Sequence, residues 1–427
     1  GYHQVSESKL VNFCAKDIEY RFWNSSHGIE KFSYIGRSGQ LVGIMGGSGA
    51  GKSTLLKVLN GSLKPQSGGI YINGLNLQRR SKELEGIIGY IPQDDLLIEE
   101  LTVQQNLLFN AKLCMDGQTA EEIDAAVNNM LNELDLFNAR DLKVGSPLNK
   151  FISGGQRKRL NIALELIREP QLLFVDEPTS GLSSTDSENV IALLKEQALL
   201  GKLVISTIHQ PSSVLFKQFD HLIVLDKGGM VVYSGNPIDG ISYFKKLAGR
   251  VDANESQCLT CGTVNPDDIL NVIEARDVDE SGAYTSKRKF SPSEWYSQYK
   301  EKIEKDQEFN TEKSDIPPNK YLIPGAFRQF LIFFKRNLLS KLADRQFMSI
   351  ALLVAPILAL ILGFFSKFVS GDESDPYLYL FSQNENLPAY LFMSVIVALF
   401  LGLIIAAEEI HRDRRILVRE SFLHLSR

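Results

Sequence analysis

The stretch GGSGAGKST (46–54) constrains this chain more than any other. It follows LVGIM (41–45), a run of apolar and β-branched residues, and leads into TLLKVLNG (54–61), apolar at helical spacing. Strand, glycine-rich loop, helix is the setting in which G-x-x-x-x-G-K-[ST] cradles phosphate. Glycine lets backbone N–H groups approach the phosphates with no Cβ in the way, and the helix N-terminus adds its positive end. Gly46, Gly47, Ser48, Gly49, Ala50, Gly51, Lys52, Ser53 and Thr54 therefore form the expected phosphate cradle. Lys52 would reach the β- and γ-phosphates, and Ser53 would give an oxygen to Mg²⁺. The rest of the first 240 residues supplies a sheet for such a loop. LLFVD (172–176), KLVIST (202–207) and HLIVLD (221–226) are continuous apolar runs, suited to strands buried on both faces between helices. Helical patterns such as TAEEIDAAVNNMLNELDL (119–136) fall between them. The expectation is an α/β P-loop NTPase fold.

LLFVDEP (172–178) ends one run with two acids. An acid at a strand's C-terminal edge faces the nucleotide crevice of an open α/β sheet. Asp176 is placed to hold Mg²⁺, directly or through water, and Glu177 to polarise an attacking water. Gln93, in GYIPQDD (89–95), follows another strand-like run beside a turn-forming proline. By position alone it is either a surface residue or a contact of Mg²⁺ and the water. His209, in STIHQPS (206–212), sits just past a strand. It is either structural or a hydrogen-bond partner of the γ-phosphate.

Two later segments carry no charge: FMSIALLVAPILALILGFF (347–365) and LPAYLFMSVIVALFLGLIIAA (387–407). Each has roughly the 20 residues that cross a bilayer as a helix, and Pro356 is expected to kink the first. Lys335, Arg336, Lys341 and Arg345 precede the first span, and Arg412, Arg414, Arg415 and Arg419 follow the second. Between them lie Asp372, Glu373, Asp375 and Glu385 against a single Lys367. This asymmetry is expected to place the P-loop domain and both chain ends in the cytoplasm, in a multi-pass membrane protein. FRQFLIFFKRNLLSKL (327–342) is basic and amphipathic, as for a helix lying along the inner membrane surface. Residues 244–320 read as a charged linker with some helix around SPSEWYSQYKEKIEK (291–305).

A net charge of −5 gives no sign of nucleic acid as a partner. Four cysteines in 427 residues fit a reduced compartment rather than a disulfide framework. Cys258 and Cys261 have the spacing of half a zinc ribbon, but a structural zinc site takes four ligands, so metal is not expected there. The chain opens without Met and stops soon after the second apolar segment, so it reads as part of a longer protein.

The P-loop, Gln93, ISGGQ (152–156), the Asp176–Glu177 pair and His209 occur in the order of an ATP-binding cassette, which this region resembles throughout residues 10–240. ISGGQ is similar to the cassette signature, with Ile152 for the usual Leu. GGQRKRLNIALEL, DEPTSGL, IHQPSS, NPDDIL (265–270) and AAEEIHRDRRILVRESF narrow the resemblance to the G-type (White/pleiotropic drug resistance) half-transporters. The domains expected are a nucleotide-binding domain over 1–243, the linker over 244–320, and the start of an all-α transmembrane domain over 321–427. Two of six expected spans would be present, and a coupling helix would begin at 408–427; Glu408 and Glu409 either form a polar membrane–water boundary or, with Arg412, transmit closure of the ATPase to the spans. The resemblance implies ATP and Mg²⁺ and a dimer, homo- or heteromeric. In that dimer Ser153, Gly154, Gly155 and Gln156 of one chain close on the γ-phosphate held by the P-loop of the other. It also implies export of a lipid-like or amphipathic substrate through a bilayer. The alternative is a membrane-anchored cassette ATPase doing mechanical or regulatory work. An aromatic residue should stack on adenine: Phe22 fits by spacing, with Tyr20 and Trp23 as competitors. Ser183 stands where the family's loop after the two acids has Asp, and whether Asp186 takes its place is open.

Overall fold

The computed structural model describes residues 10–23, 25, 27–80, 83–146, 149–253, 257, 262–278, 284–306, 313–317, 322–366 and 385–422. The pair Cys258 and Cys261 lies outside these residues, as do Lys367, Asp372, Glu373 and Asp375. The side chains of Glu408, Glu409 and the arginines after them are outside it too. The strands are β1 (Asn12–Arg21), β2 (Gly28–Arg37), β3 (Leu41–Gly46), β4 (Ser67–Ile72), β5 (Leu75–Asn76), β6 (Ile88–Ile91), β7 (Leu172–Val175), β8 (Leu203–Thr207), β9 (His221–Asp226), β10 (Met230–Gly235), β11 (Arg276–Val278) and β12 (Tyr284–Arg288). The helices are α1 (Lys52–Leu59), α2 (Val103–Cys114), α3 (Ala120–Glu133), α4 (Gly154–Leu166), α5 (Ser184–Leu199), α6 (Ser213–Phe216), α7 (Pro237–Leu247), α8 (Asp267–Ile273), α9 (Pro292–Lys302), α10 (Ala326–Ala343), α11 (Arg345–Phe365) and α12 (Leu387–Phe422).

The chain divides into two compact units. The first holds residues 1–95, 103–142 and 150–324. Its main sheet has the order β10-β9-β3-β8-β7-β6, parallel from β9 to β6, with β10 antiparallel at one edge. Every residue of β3, β7 and β8 is buried, which explains why their sequences are unbroken apolar runs. α1 and α5 pack on β8, and α4 packs on β6. A second, antiparallel sheet, β2-β1-β4-β5, contributes Phe13, Ile18 and Phe32 to the core. α3 starts where the sequence indicates, with Thr119 and Glu122 forming a reciprocal capping box.

Part of the charged linker is more ordered than its composition indicates. α9 carries Trp295 and Tyr299, both fully buried, and packs against β10. Trp295 meets Phe244 of α7 at 5.4 Å between ring centroids. Two aromatic side chains of this size bury enough apolar area to fix a short helix whose other residues are largely polar or charged.

The second unit comprises residues 96–102, 143–149 and 325–427. α10 buries Gln329, Arg336 and Ser340. Ser340 Oγ donates to Glu100 Oε2 at 2.9 Å, and Lys143 Nζ donates to the carbonyl of Ala343 at 2.9 Å. Phe327, Phe330, Phe334 and Leu338 are exposed. The amphipathic helix thus turns its polar stripe inward and leaves its apolar stripe uncovered, the reverse of a helix on a soluble core. Asp344 caps α11 by accepting from the Phe347 N–H at 3.0 Å. Among the described residues α11 alone is long and apolar enough to cross a membrane, with Pro356 inside the helix. The apolar part of α12 searched in the same way covers Leu387–Leu403. α12 continues to Phe422, so the second apolar segment and the expected start of a coupling helix are one helix of 36 residues.

Candidate functional site

Four adjacent parallel strands, in the order β3-β8-β7-β6, each end at a segment that the sequence singles out. β3 runs into the phosphate loop, β8 to His209, β7 into Asp176 and Glu177, and β6 to Gln93. The register keeps these ends level: Ile44 pairs with Thr207, Ser206 with Val175, and Val175 with Ile91. Distant parts of the chain therefore meet at one edge of the sheet.

In the phosphate loop, Gly51 stands at φ 102° as the N-cap of α1, and no side chain caps the helix. A residue with a Cβ is strained there, and the first amides of α1 are left for a ligand. Lys52 is 7% exposed, and its Nζ donates to the carbonyls of Gly46 at 3.0 Å and Gly47 at 3.1 Å. Burial lowers its pKa, while Glu177 and Asp176 pull the other way. An ammonium already stripped of most of its water meets an anion with little further desolvation.

The two acids are tied together by hydroxyl groups. Ser53 Oγ donates to Asp176 Oδ1 at 3.0 Å. Thr207 Oγ1 donates to the same oxygen at 2.8 Å and accepts from the Glu177 N–H at 2.7 Å. Glu177 has a left-handed backbone, φ 44°, as does Gln210 just past His209 at φ 42°. Such conformations cost about 1–3 kcal/mol each and persist where neighbours enforce them. Gln93 Nε2 donates to Glu177 Oε2 at 2.9 Å. Gln93 is thus joined to Glu177, not to Ser53 or Asp176, the side chains expected to share a metal with it. A hydroxyl and a carboxylate oxygen in mutual contact are hard oxygen donors, and that pair fits Mg²⁺.

A cleft of about 340 Å³ opens over the loop from Ser48 to Thr54. Glu177 and His209 line one part of it, and Phe22, His27, Gly28, Gly228 and Gly229 another. Of the aromatic candidates, Phe22 lines the cleft, 43% exposed, with Tyr20 edge-on against it at 5.1 Å. Trp23 is 93% exposed and is not part of the lining. His27 and the Gly228–Gly229 turn carry no motif, so sequence reasoning missed them.

The signature residues stand apart from this cleft. Ser153 and Gln156 form a capping box on α4: Ser153 Oγ accepts from the Gln156 N–H at 3.1 Å, and Gln156 Oε1 accepts from the Ser153 N–H at 2.8 Å. The basic residues that follow are buried rather than solvated. Arg157 Nε lies 3.2 Å from Asp95 Oδ2, and Lys158 Nζ donates to the carbonyl of Gln93 at 2.9 Å. Burial lowers the Lys158 pKa. α4 therefore grips the segment that carries Gln93. Ser183 caps α5, accepting from the Asp186 N–H at 3.2 Å and donating to Asp186 Oδ2 at 2.9 Å. The other oxygen of Asp186 crowds Gly155, where an added Cβ would lie 2.3 Å away.

Comparison with known proteins follows the same outline. The ABC transporter family model matches residues 29–180, and the ABC-2 type transporter model matches residues 209–319. The broad substrate specificity ATP-binding cassette transporter ABCG2 of Sus scrofa is 35% identical over 272 residues, 63% of this chain and 40% of its own length. ABC transporter G family member 22 of Arabidopsis thaliana is 37% identical over 262 residues, 60% of this chain and 35% of its own length. These relatives are G-type ATP-binding cassette transporters, and this chain is similar to them. A third G-type relative, G family member 2 of Dictyostelium discoideum, is 35% identical over 380 residues, 85% of this chain but 27% of its own length. The chain thus spans well under half the length of these cassette transporters. The region matched by the ABC transporter model carries an α/β P-loop NTPase fold, an ATPase of the cassette type, and the second model is that of a membrane-transporter family.

Proposed function

We propose that the chain is the ATPase and the first membrane-entering part of a transporter that moves an amphipathic or lipid-like molecule outward across a bilayer. The observation that carries this reading is the convergence at one sheet edge of Lys52, the Ser53–Asp176 pair, the Gln93–Glu177 pair and His209. The uncovered apolar stripe of α10 and the apolar α11 support attachment to a membrane. The name of the pig relative, a transporter of broad substrate specificity, is in keeping with transport as the task.

In this reading the amides of the phosphate loop and Lys52 bind the phosphates of ATP, and Phe22 packs on the adenine. Ser53 and Asp176 hold Mg²⁺, which when bound offsets charge on the phosphates. Glu177, positioned by Gln93, takes a proton from the attacking water. His209 donates to the γ-phosphate. The signature loop stands outside its own cleft, so Ser153, Gly154, Gly155 and Gln156 serve the cleft of a second copy or a related chain. Two ATPs then close the pair, and hydrolysis reopens it. The positive-inside asymmetry puts the ATPase in the cytoplasm of a multi-pass protein.

The test uses the full-length protein in lipid vesicles. Glu177→Gln should leave ATP binding intact and lower turnover by about 10³-fold, trapping ATP-bound dimers visible by native mass spectrometry. Undiminished hydrolysis would remove Glu177 from its role. A wild type that hydrolyses ATP but moves no amphipathic probe would favour mechanical work without transport.

A further inference from the structure

Thr207 is the last residue of β8, and the sequence gives it no role beyond that of a β-branched strand former. Its side chain is 0% exposed. Both hydrogen bonds of its hydroxyl go to the end of the neighbouring strand: out to Asp176 Oδ1 at 2.8 Å, and in from the Glu177 N–H at 2.7 Å. The direction of each is forced. A carboxylate only accepts and an amide only donates, so the one hydroxyl proton faces Asp176 and a lone pair faces Glu177. The same Asp176 oxygen takes the Ser53 hydroxyl, which fixes that carboxylate toward the phosphate loop. The Glu177 amide belongs to a residue held at φ 44°, whose side chain reaches Gln93.

We propose that Thr207 is a positioning residue for both acids at once: its hydroxyl sets the carboxylate of Asp176 against Ser53 and locks the left-handed turn that aims Glu177. This rests on the ATPase reading above and deepens it. Thr207 is fully buried and does not line the cleft. It acts through two residues with different tasks, so its loss should be felt in two separable ways. Loosening Asp176 should weaken the hold on Mg²⁺, so that nucleotide binding needs more of it. Loosening Glu177 should slow the chemical step.

The experiment compares Thr207→Val, which keeps the shape, with Thr207→Ser, which keeps the hydroxyl, in the full-length protein reconstituted in vesicles. Thr207→Val should lower turnover by about 10–100-fold, with the ATP concentration for half-maximal rate changed by less than about threefold. In the Glu177→Gln background, where hydrolysis is already slowed by about 10³-fold, Thr207→Val should still raise the Mg²⁺ concentration needed for half-maximal ATP binding by about 3–10-fold. Thr207→Ser should restore both readouts to within about threefold of wild type. The idea is overturned if Thr207→Val keeps the wild-type rate and Mg²⁺ midpoint, or if Thr207→Ser is as impaired as Thr207→Val. Should the valine variant not fold, the serine and alanine variants decide by the same two readouts, and a serine variant no better than alanine overturns it. A wild type without ATP hydrolysis would instead sink the ATPase reading.

Discussion

The phosphate loop and the signature loop are both glycine-rich turns that open a helix, yet they treat its first amides in opposite ways. α1 begins at Gly51 with no side-chain cap. α4 begins with Ser153 and Gln156 satisfying each other's backbone. An uncapped helix start is a site waiting for an anion, and its loop is complete only with ligand. A capped start is stable alone and presents a finished surface. The difference fits the division of labour proposed here, in which one loop owns its nucleotide and the other meets a nucleotide brought to it.

The sharpest way to break this contrast is to remove Lys52. Lys52→Ala should cut ATP turnover by about 10²–10³-fold. It should also abolish the rise in melting temperature on adding ATP, worth about 2.7 kcal/mol at 100 times the dissociation constant. Nucleotide-free stability should hold or improve, because a buried ammonium with a lowered pKa is lost. A Lys52→Ala protein that melts earlier without nucleotide would deny the loop its ligand-dependent character.

Gly155→Ala probes the other loop. Its Cβ would fall 2.3 Å from Asp186 Oδ1, so the Asp186 side chain and its bond to Ser183 must shift. ATP affinity measured on the protein kept monomeric should stay within about threefold of wild type, while turnover of the assembled protein falls on the order of 100-fold. Equal losses in both assays would mean that the signature loop acts on its own chain's cleft.

The smallest effect is expected from Ser153→Ala. Loss of the cap should cost about 1 kcal/mol of stability without nucleotide, read by denaturant unfolding. The equivalent measurement has no counterpart at α1, where there is no side-chain cap to remove. An unchanged midpoint would show that the capping box carries no weight.

Much of the site could be read locally. The phosphate loop, the strand runs and the two acids are contiguous motifs whose residue types state their chemistry. What stayed hidden depends on pairing across the sheet or on packing. Thr207 in LVIST looks like any β-branched strand residue, and only the pairing of Ser206 with Val175 places its hydroxyl beside Asp176 and Glu177. Arg157 and Lys158 look like a solvated basic face, but α4 lies on β6, and their long stems end on Asp95 and the Gln93 carbonyl. Trp295 and Tyr299 are two aromatic residues in a charged stretch, and composition averages them away. The local geometry at Ser183 likewise shows only in the structure: the serine caps α5 and orients Asp186.

The unbroken course of α12 has a mechanical consequence. Thirty-six residues at about 1.5 Å each make a rod about 54 Å long, nearly twice the hydrocarbon thickness of a bilayer. Pivoted at one end, such a lever swings its far tip by about 5 Å for a tilt of about 5°. In the transporter reading, a tilt imposed at one end of α12 is therefore carried as the same tilt along its whole described length.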